Sequence, residues 1–95
     1  MVLFINNSYI FYFYHIEKGN FMELKQLEYF RAIVDAGTIS GAARDLHMTQ
    51  PPLSYQIHQL EEELGVQLFE RTSKGVILTN AGEVLYERAG NLLDY

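Results

Sequence analysis

The stretch HMTQPPLSYQIHQLEEELG, residues 47–65, puts the chain's only two prolines, Pro51 and Pro52, directly ahead of Leu53, Ile57, Leu60 and Leu64. Those four apolar residues are spaced 4, 3 and 4, the period of one face of an α-helix. A proline inside a helix removes a hydrogen bond and clashes with the preceding turn. In the first turn it does neither, because those N–H groups have no intrahelical partner. The prolines therefore mark where this helix begins. Thr49 is a good N-cap for it, and Gly65 ends it. A helix with a single apolar stripe needs neighbours on that side only, and the rest of the chain must supply them.

Leu24, Leu27, Phe30, Ile33 and Val34 recur at helical spacing with charges between them. They predict a first helix over about 22–36, with Gly37 at the C′ position. The segment TISGAARDLHM predicts a short second helix, capped by Ser40 or Thr38 and ending near His47. Ala42 and Ala43 are small where another helix approaches, and Leu46 faces the core. The proline-headed helix is thus the third, one or two residues later. Val66, Leu68 and Phe69 form one apolar patch, and Val76 and Leu78 alternate in another. ERTSKG lies between them, with Gly75 available for a positive-φ turn, so the segment reads as a β-hairpin. TNAGEVLYERAGNLLDY predicts a last helix, still running where the sequence stops, capped either by Asn80 in a capping box with Glu83 or by Thr79. Val84, Leu85, Ala89, Leu92 and Leu93 make it more apolar than an isolated helix needs. Two helices joined by a tight turn and followed by a hairpin define a mostly α winged helix-turn-helix: a three-helix core, a β-hairpin wing and a C-terminal helix. The domain spans 22–79, with the last helix over 80–95.

Residues 1–21, MVLFINNSYIFYFYHIEKGNF, differ in composition and show no helical period. They lack the positive start and cleavage site of a signal peptide. Asn6, Asn7, Ser8 and His15 interrupt the apolar run before it reaches the roughly 20 residues of a membrane span. Two readings stand. The segment is not naturally translated: its Phe, Tyr, Ile and Asn codons are AT-rich, and Glu17-Lys18-Gly19 back-translates to a purine run like a ribosome-binding site ahead of Met22. Alternatively, it is an apolar tail that forms a strand or packs on a neighbour.

At 95 residues and 48% hydrophobic, the chain is one small domain that a partner subunit would help stabilise. With no cysteine it has neither disulfides nor a Cys-based metal site, which suits a reducing cytosol. His15, His47 and His58 lack metal-binding spacing, and there is no Gly-rich phosphate loop. Nothing suggests that Ser40, Asp45 and His47 act as a triad, so no enzyme activity and no cofactor are expected. Glu61, Glu62 and Glu63 read as a solvated face. The net charge of −5 argues against a protein that simply coats DNA, but it permits a local basic edge.

The free side and N-terminal end of the third helix carry Gln50, Pro51, Ser54, Tyr55 and His58. Glutamine bonds bidentately to adenine N6 and N7 in a major groove. Ser and Tyr hydroxyls reach phosphates or base edges, and a proline ring can contact a thymine methyl. The helix N-terminus, with unpaired N–H groups and a positive dipole end, attracts phosphate. Arg71 and Lys74 flank the hairpin turn, where they reach backbone or minor groove. Arg44, His47 and His58 add positive charge to the same edge, although His47 fits a helix-terminal residue better than a ligand. A winged helix that only binds protein is the alternative, favoured by the acidic balance.

From Met22 onward, LEYFRAIVDAGTISGAARDLHMTQPPLSYQIHQLEEELGVQLFERTSKGVILTNAG resembles the N-terminal DNA-binding domain of LysR-type transcriptional regulators, most distinctively in TQPPLSYQIHQLEEELGVQLFER. The resemblance implies a dimeric bacterial transcription factor, cytoplasmic and nucleoid-associated, that binds double-stranded DNA and no membrane. By family pattern the groove-facing end is Thr49, Gln50, Pro51, Ser54 and Tyr55, and the wing is Arg71 to Lys74. The last helix becomes a linker helix that pairs with its counterpart in a homodimer, through Val84, Leu85, Ala89, Leu92 and Leu93. Family members are several times longer, with a C-terminal small-molecule domain. This chain therefore resembles a fragment without an effector site. Position 55 is often Arg or Lys in the family and is Tyr here. Lys74 is often Arg, and residues 1–21 have no family counterpart. N-terminal sequencing of the native protein is expected to begin at Met22 if the upstream segment is untranslated; a native Met1 refutes that reading.

Overall fold

The structure, a computed structural model, describes residues 21–93, with side chains over 24–90. Both readings of residues 1–21 lie, Phe21 apart, outside the described residues. In chain order the elements are α1 (Phe21–Ala36), α2 (Ile39–Asp45), α3 (Gln50–Leu64), β1 (Phe69–Thr72), β2 (Gly75–Leu78) and α4 (Asn80–Leu93). The strands pair antiparallel, from Phe69 opposite Leu78 to Thr72 opposite Gly75. This is the expected helix order with a hairpin wing.

Local chemistry sets each boundary. Of the two candidate caps for α2, Thr38 is the one used: its Oγ1 accepts a 3.0 Å hydrogen bond from the Gly41 N–H, while the Ser40 hydroxyl merely donates to that same oxygen. At the other end the Met48 N–H donates to the Ala43 carbonyl at 2.9 Å and the His47 N–H to that of Arg44 at 3.1 Å. This is a Schellman stop with His47 in the left-handed region at φ 56°. Histidine tolerates that conformation better than branched residues do, and the two bonds hold the α2–α3 turn tight. For α4 the cap is Thr79, not Asn80. Thr79 Oγ1 accepts from the Gly82 N–H at 3.0 Å, so the capping box expected of Asn80 with Glu83 does not form.

The core joins all four helices and the start of the wing. Leu27, Phe30 and Ile33 of α1 meet Ile39, Ala42 and Ala43 of α2 and the whole Leu53, Ile57, Leu60, Leu64 stripe of α3. Leu68 and Phe69 close it from the wing, with the Phe69 ring 5.2 Å from that of Phe30 at 41°. From α4 come Leu85 and Ala89, both essentially inaccessible to solvent. This corrects their expected role as dimerisation residues. α1 leaves an apolar gap that α4 must fill, so these two side chains are spent inside their own subunit. Val84 remains half-exposed, and Leu92 and Leu93 lie outside the described side chains.

A polar latch also ties α4 to α1. The Tyr86 hydroxyl donates a 2.6 Å hydrogen bond to Asp35 Oδ1, and Arg31 lies 3.9 Å from the other carboxylate oxygen. That bond, helped by burial and the Asp35 charge, raises the phenol pKa above its ordinary value, with Arg31 opposing. A pKa raised on folding stabilises below the ordinary value, and the gain is lost as pH climbs through the raised one. Tyr86→Phe is therefore expected to lower stability near neutral pH. The gap from wild type, followed by denaturant unfolding, should close as pH rises beyond the phenol range, about 10. A pH-independent gap contradicts the latch.

Candidate nucleic-acid interface

The interface is built on α3, whose rotation the core decides. Pro51, Tyr55, His58 and Glu62 each precede a buried stripe residue by two positions, about 200° round the helix. They therefore point directly away from the core, and all four are exposed. Ser54 lies on the flank, half-exposed, and Gln50 and Thr49 are exposed at the tip.

The double proline changes the chemistry of that tip. An N-cap side chain accepts from the N–H of the second or third helical residue. After Thr49 those residues are Pro51 and Pro52, which have no N–H. Thr49 accordingly holds the N-cap backbone conformation but makes no side-chain capping bond. Its hydroxyl makes no hydrogen bond among the described residues. Because Pro51 and Pro52 supply no N–H, attraction of a phosphate to this helix end rests on the helix dipole and the remaining donors.

The wing stands beside this tip. Thr38, Ser40, Gln50, Arg71, Thr72, Lys74 and Gly75 line an open groove of about 300 Å³. The wing is held close because the Val76 N–H donates to the Gly37 carbonyl at 3.0 Å. Gly75, at φ 141°, makes that approach possible: a Cβ there would stand 2.4 Å from the same carbonyl oxygen. Gly75 is thus required for close approach as well as for its own backbone angle. Neither Ser73 nor Lys74 in the turn has positive φ. On the other side of β1, His58, Glu61, Gln67, Glu70 and Arg71 line a second groove of about 480 Å³.

The expected residues divide accordingly. Gln50, Arg71 and Lys74 share one groove, and His58 and Arg71 the next. Arg44 is exposed in the last turn of α2 but lines neither groove. Among the described residues Arg44, Arg71 and Lys74 are in no ion pair, so pairing of Arg71 with Glu70 or Glu83 does not occur. His58 Nε2 lies 3.1 Å from Glu62 Oε1. His47 is exposed in the α2–α3 turn.

Three features are not legible in the sequence. Thr38 and Ser40 are legible there only as caps, yet both residues line the wing groove, Thr38 with its Oγ1 still turned to the Gly41 N–H. Glu61 belongs to a run that reads from the sequence as a solvated face. Its Oε2 instead accepts hydrogen bonds from the Leu68 N–H at 2.7 Å and the Phe69 N–H at 3.4 Å. That carboxylate fastens the start of the wing to α3. No local pattern announces it, because its partners come within reach only after the chain turns at Gly65. A second unanticipated tie is buried Gln26 of α1, whose amide donates to Gln56 Oε1 at 3.3 Å.

Comparisons with known proteins agree with this geometry. The model of the family described as "Bacterial regulatory helix-turn-helix protein, lysR family" matches residues 24–83. The HTH-type transcriptional regulator ClcR of Pseudomonas putida is 54% identical over 72 residues, covering 76% of this chain and 24% of ClcR. The chain thus spans about a quarter of the length of such curated relatives. The crystal structure of the CbnR_DBD-DNA complex superposes with a TM-score of 0.72 at 44% identity, over 75% of this chain and 82% of that one. The BenM_DBD/catB site 1 DNA complex gives 0.73 at 48%, over 75% and 80%.

Hydrogen bonds to a charged acceptor contribute about 1.5–3 kcal/mol. Glu61→Ala is expected to destabilise the domain by about that amount, and hydrogen exchange should show the amides of Leu68 and Phe69 losing protection before those of α1. Unchanged protection there refutes the anchor.

Proposed function

The chain belongs to the lysR family of bacterial regulatory helix-turn-helix proteins, and from that premise we propose that it is a sequence-specific, double-stranded DNA-binding unit of a transcriptional regulator. Residues 22–79 form the binding unit and α4 begins the linker helix. The tip of α3 enters the major groove, with Gln50 reading a base edge and Thr49, Pro51, Ser54 and Tyr55 around it. Arg71 and Lys74 lie along the flanking backbone or minor groove, Arg44 adds a phosphate contact, and His58 sits at the edge. The observation that carries this reading is the outward stripe of α3, set beside a wing whose cations are unpaired among the described residues. Solved complexes of similar domains with DNA support it.

The working species is a homodimer joined through α4. Val84 and the continuation through Leu92 and Leu93 supply its face, Leu85 and Ala89 being committed to the core. Two recognition helices then enter successive major grooves about 34 Å apart. The protein acts by binding rather than as an enzyme, in the bacterial cytoplasm and on the nucleoid. Among the described residues no helix is long and apolar enough to cross a membrane.

The net charge of −5 favours a second reading, a module that binds protein only. Gel-shift titration across salt separates the two. If three cations per subunit displace counterions, a dimer neutralises about six phosphates and loses about 10³ in affinity between 50 and 200 mM salt. A confirmed dimer with no salt-dependent shift supports the second reading. Gln50→Ala is expected to cost about 1–3 kcal/mol on a cognate site and to relax preference at one base pair; an equal loss on every duplex rules out base reading by Gln50.

A further inference from the structure

The recognition helix Gln50–Leu64 contains three Glu and neither Lys nor Arg. Every cation of the proposed interface therefore lies outside it, and what α3 offers a groove is neutral. The polar part of that offer, Gln50 and Ser54, suits hydrogen bonding to base edges. The remainder is apolar: Pro51, Pro52 and Tyr55 are all exposed on the half of α3 nearest its tip. Tyr55 is 59% exposed and forms no hydrogen bond among the described residues. It sits one turn after Pro51 on the stripe that faces directly away from the core. Glu62 and Glu63, about two turns farther along, border the same surface depression as Tyr55 and repel phosphates, so the end of α3 carrying Pro51 and Tyr55 is the part offered to a groove. The floor of a major groove presents one apolar group, the C5-methyl of thymine.

We infer that Tyr55 is a specificity-determining residue whose ring, backed by Pro51, packs on thymine methyl groups, so that this helix distinguishes thymine from cytosine by the methyl and without a cation. The inference rests on the DNA-binding reading and adds the chemical group that one residue recognises. It also gives a role to an exposed aromatic ring on the outward face of α3. The wing and Arg44 supply sequence-independent attachment, and the tip of α3 supplies discrimination.

The test uses the full chain and a duplex that the chain itself selects from a randomised pool, made once with thymine and once with deoxyuridine. Uracil keeps every hydrogen-bonding group and lacks only the methyl. Wild type should bind the uracil duplex about fourfold more weakly for each methyl buried. Tyr55→Ala, checked for folding by circular dichroism, should lose most of the thymine preference, keeping at most what Pro51 contributes. Tyr55→Phe should keep the thymine preference, because the ring and not the hydroxyl makes the contact. Tyr55→Arg should tighten both duplexes and steepen the salt dependence. Equal wild-type binding to the two duplexes overturns the inference while leaving DNA binding intact, as does a Tyr55→Ala variant whose thymine preference equals that of wild type. Failure of wild type to bind any duplex overturns the DNA-binding reading and the inference together.

Discussion

Burial of one helical stripe governs the rest of this molecule. Leu53, Ile57, Leu60 and Leu64 are each 2% exposed or less, and complete burial of such a side chain is worth about 1.5–3 kcal/mol. Rotating α3 by even one residue would expose most of them, at a cost comparable to the whole stability of a small domain. The outward stripe is therefore not chosen separately. Whatever stands two positions before each core residue is presented to the outside, and here that is Pro51, Tyr55, His58 and Glu62. The prolines fix the helix along its axis as the stripe fixes it around its axis. They also strip the tip of the two N–H groups that its own cap would have used.

The wing is positioned by polar groups that reach across turns. Glu61 holds its first strand, the Gly37 carbonyl holds its second, and Gly75 is the residue that lets those backbones approach. These ties bring Arg71 and Lys74 beside Gln50 without either cation being consumed by an internal ion pair. An acidic chain can meet a polyanion in this way because screening confines each charge to about 8 Å at physiological salt. What matters is which charges lie within that distance of the phosphates: Arg71 and Lys74 stand on the wing, with the exposed carboxylate of Glu70 beside Arg71 as an opposing charge. Glu61 is turned into the fold, and Glu62 and Glu63 sit at the far end of α3.

Most of the architecture was legible in the residues. Periodicity located the helices, the prolines and Gly65 bounded the third, and the change of period after Val66 marked the hairpin. Choices between adjacent candidates were not. Thr38 rather than Ser40, and Thr79 rather than Asn80, became the caps, because only the geometry of the incoming chain shows which hydroxyl reaches an open N–H. The apolar residues of the last helix read from the sequence as one dimerisation face. Apolarity alone does not say whether a side chain is covered by its own subunit or by another, and Leu85 and Ala89 are covered by their own.

The sequence by itself determined the order of elements, the start of the recognition helix and the face it turns outward, because these follow from backbone sterics and from a local repeat of 3.6 residues. Tertiary structure alone decided that Glu61 anchors the wing, that Thr38 and Ser40 face the same groove as Lys74, and that α4 divides between core and free surface. Each of those depends on groups that meet only after the chain has turned back on itself, and no local repeat encodes that distance.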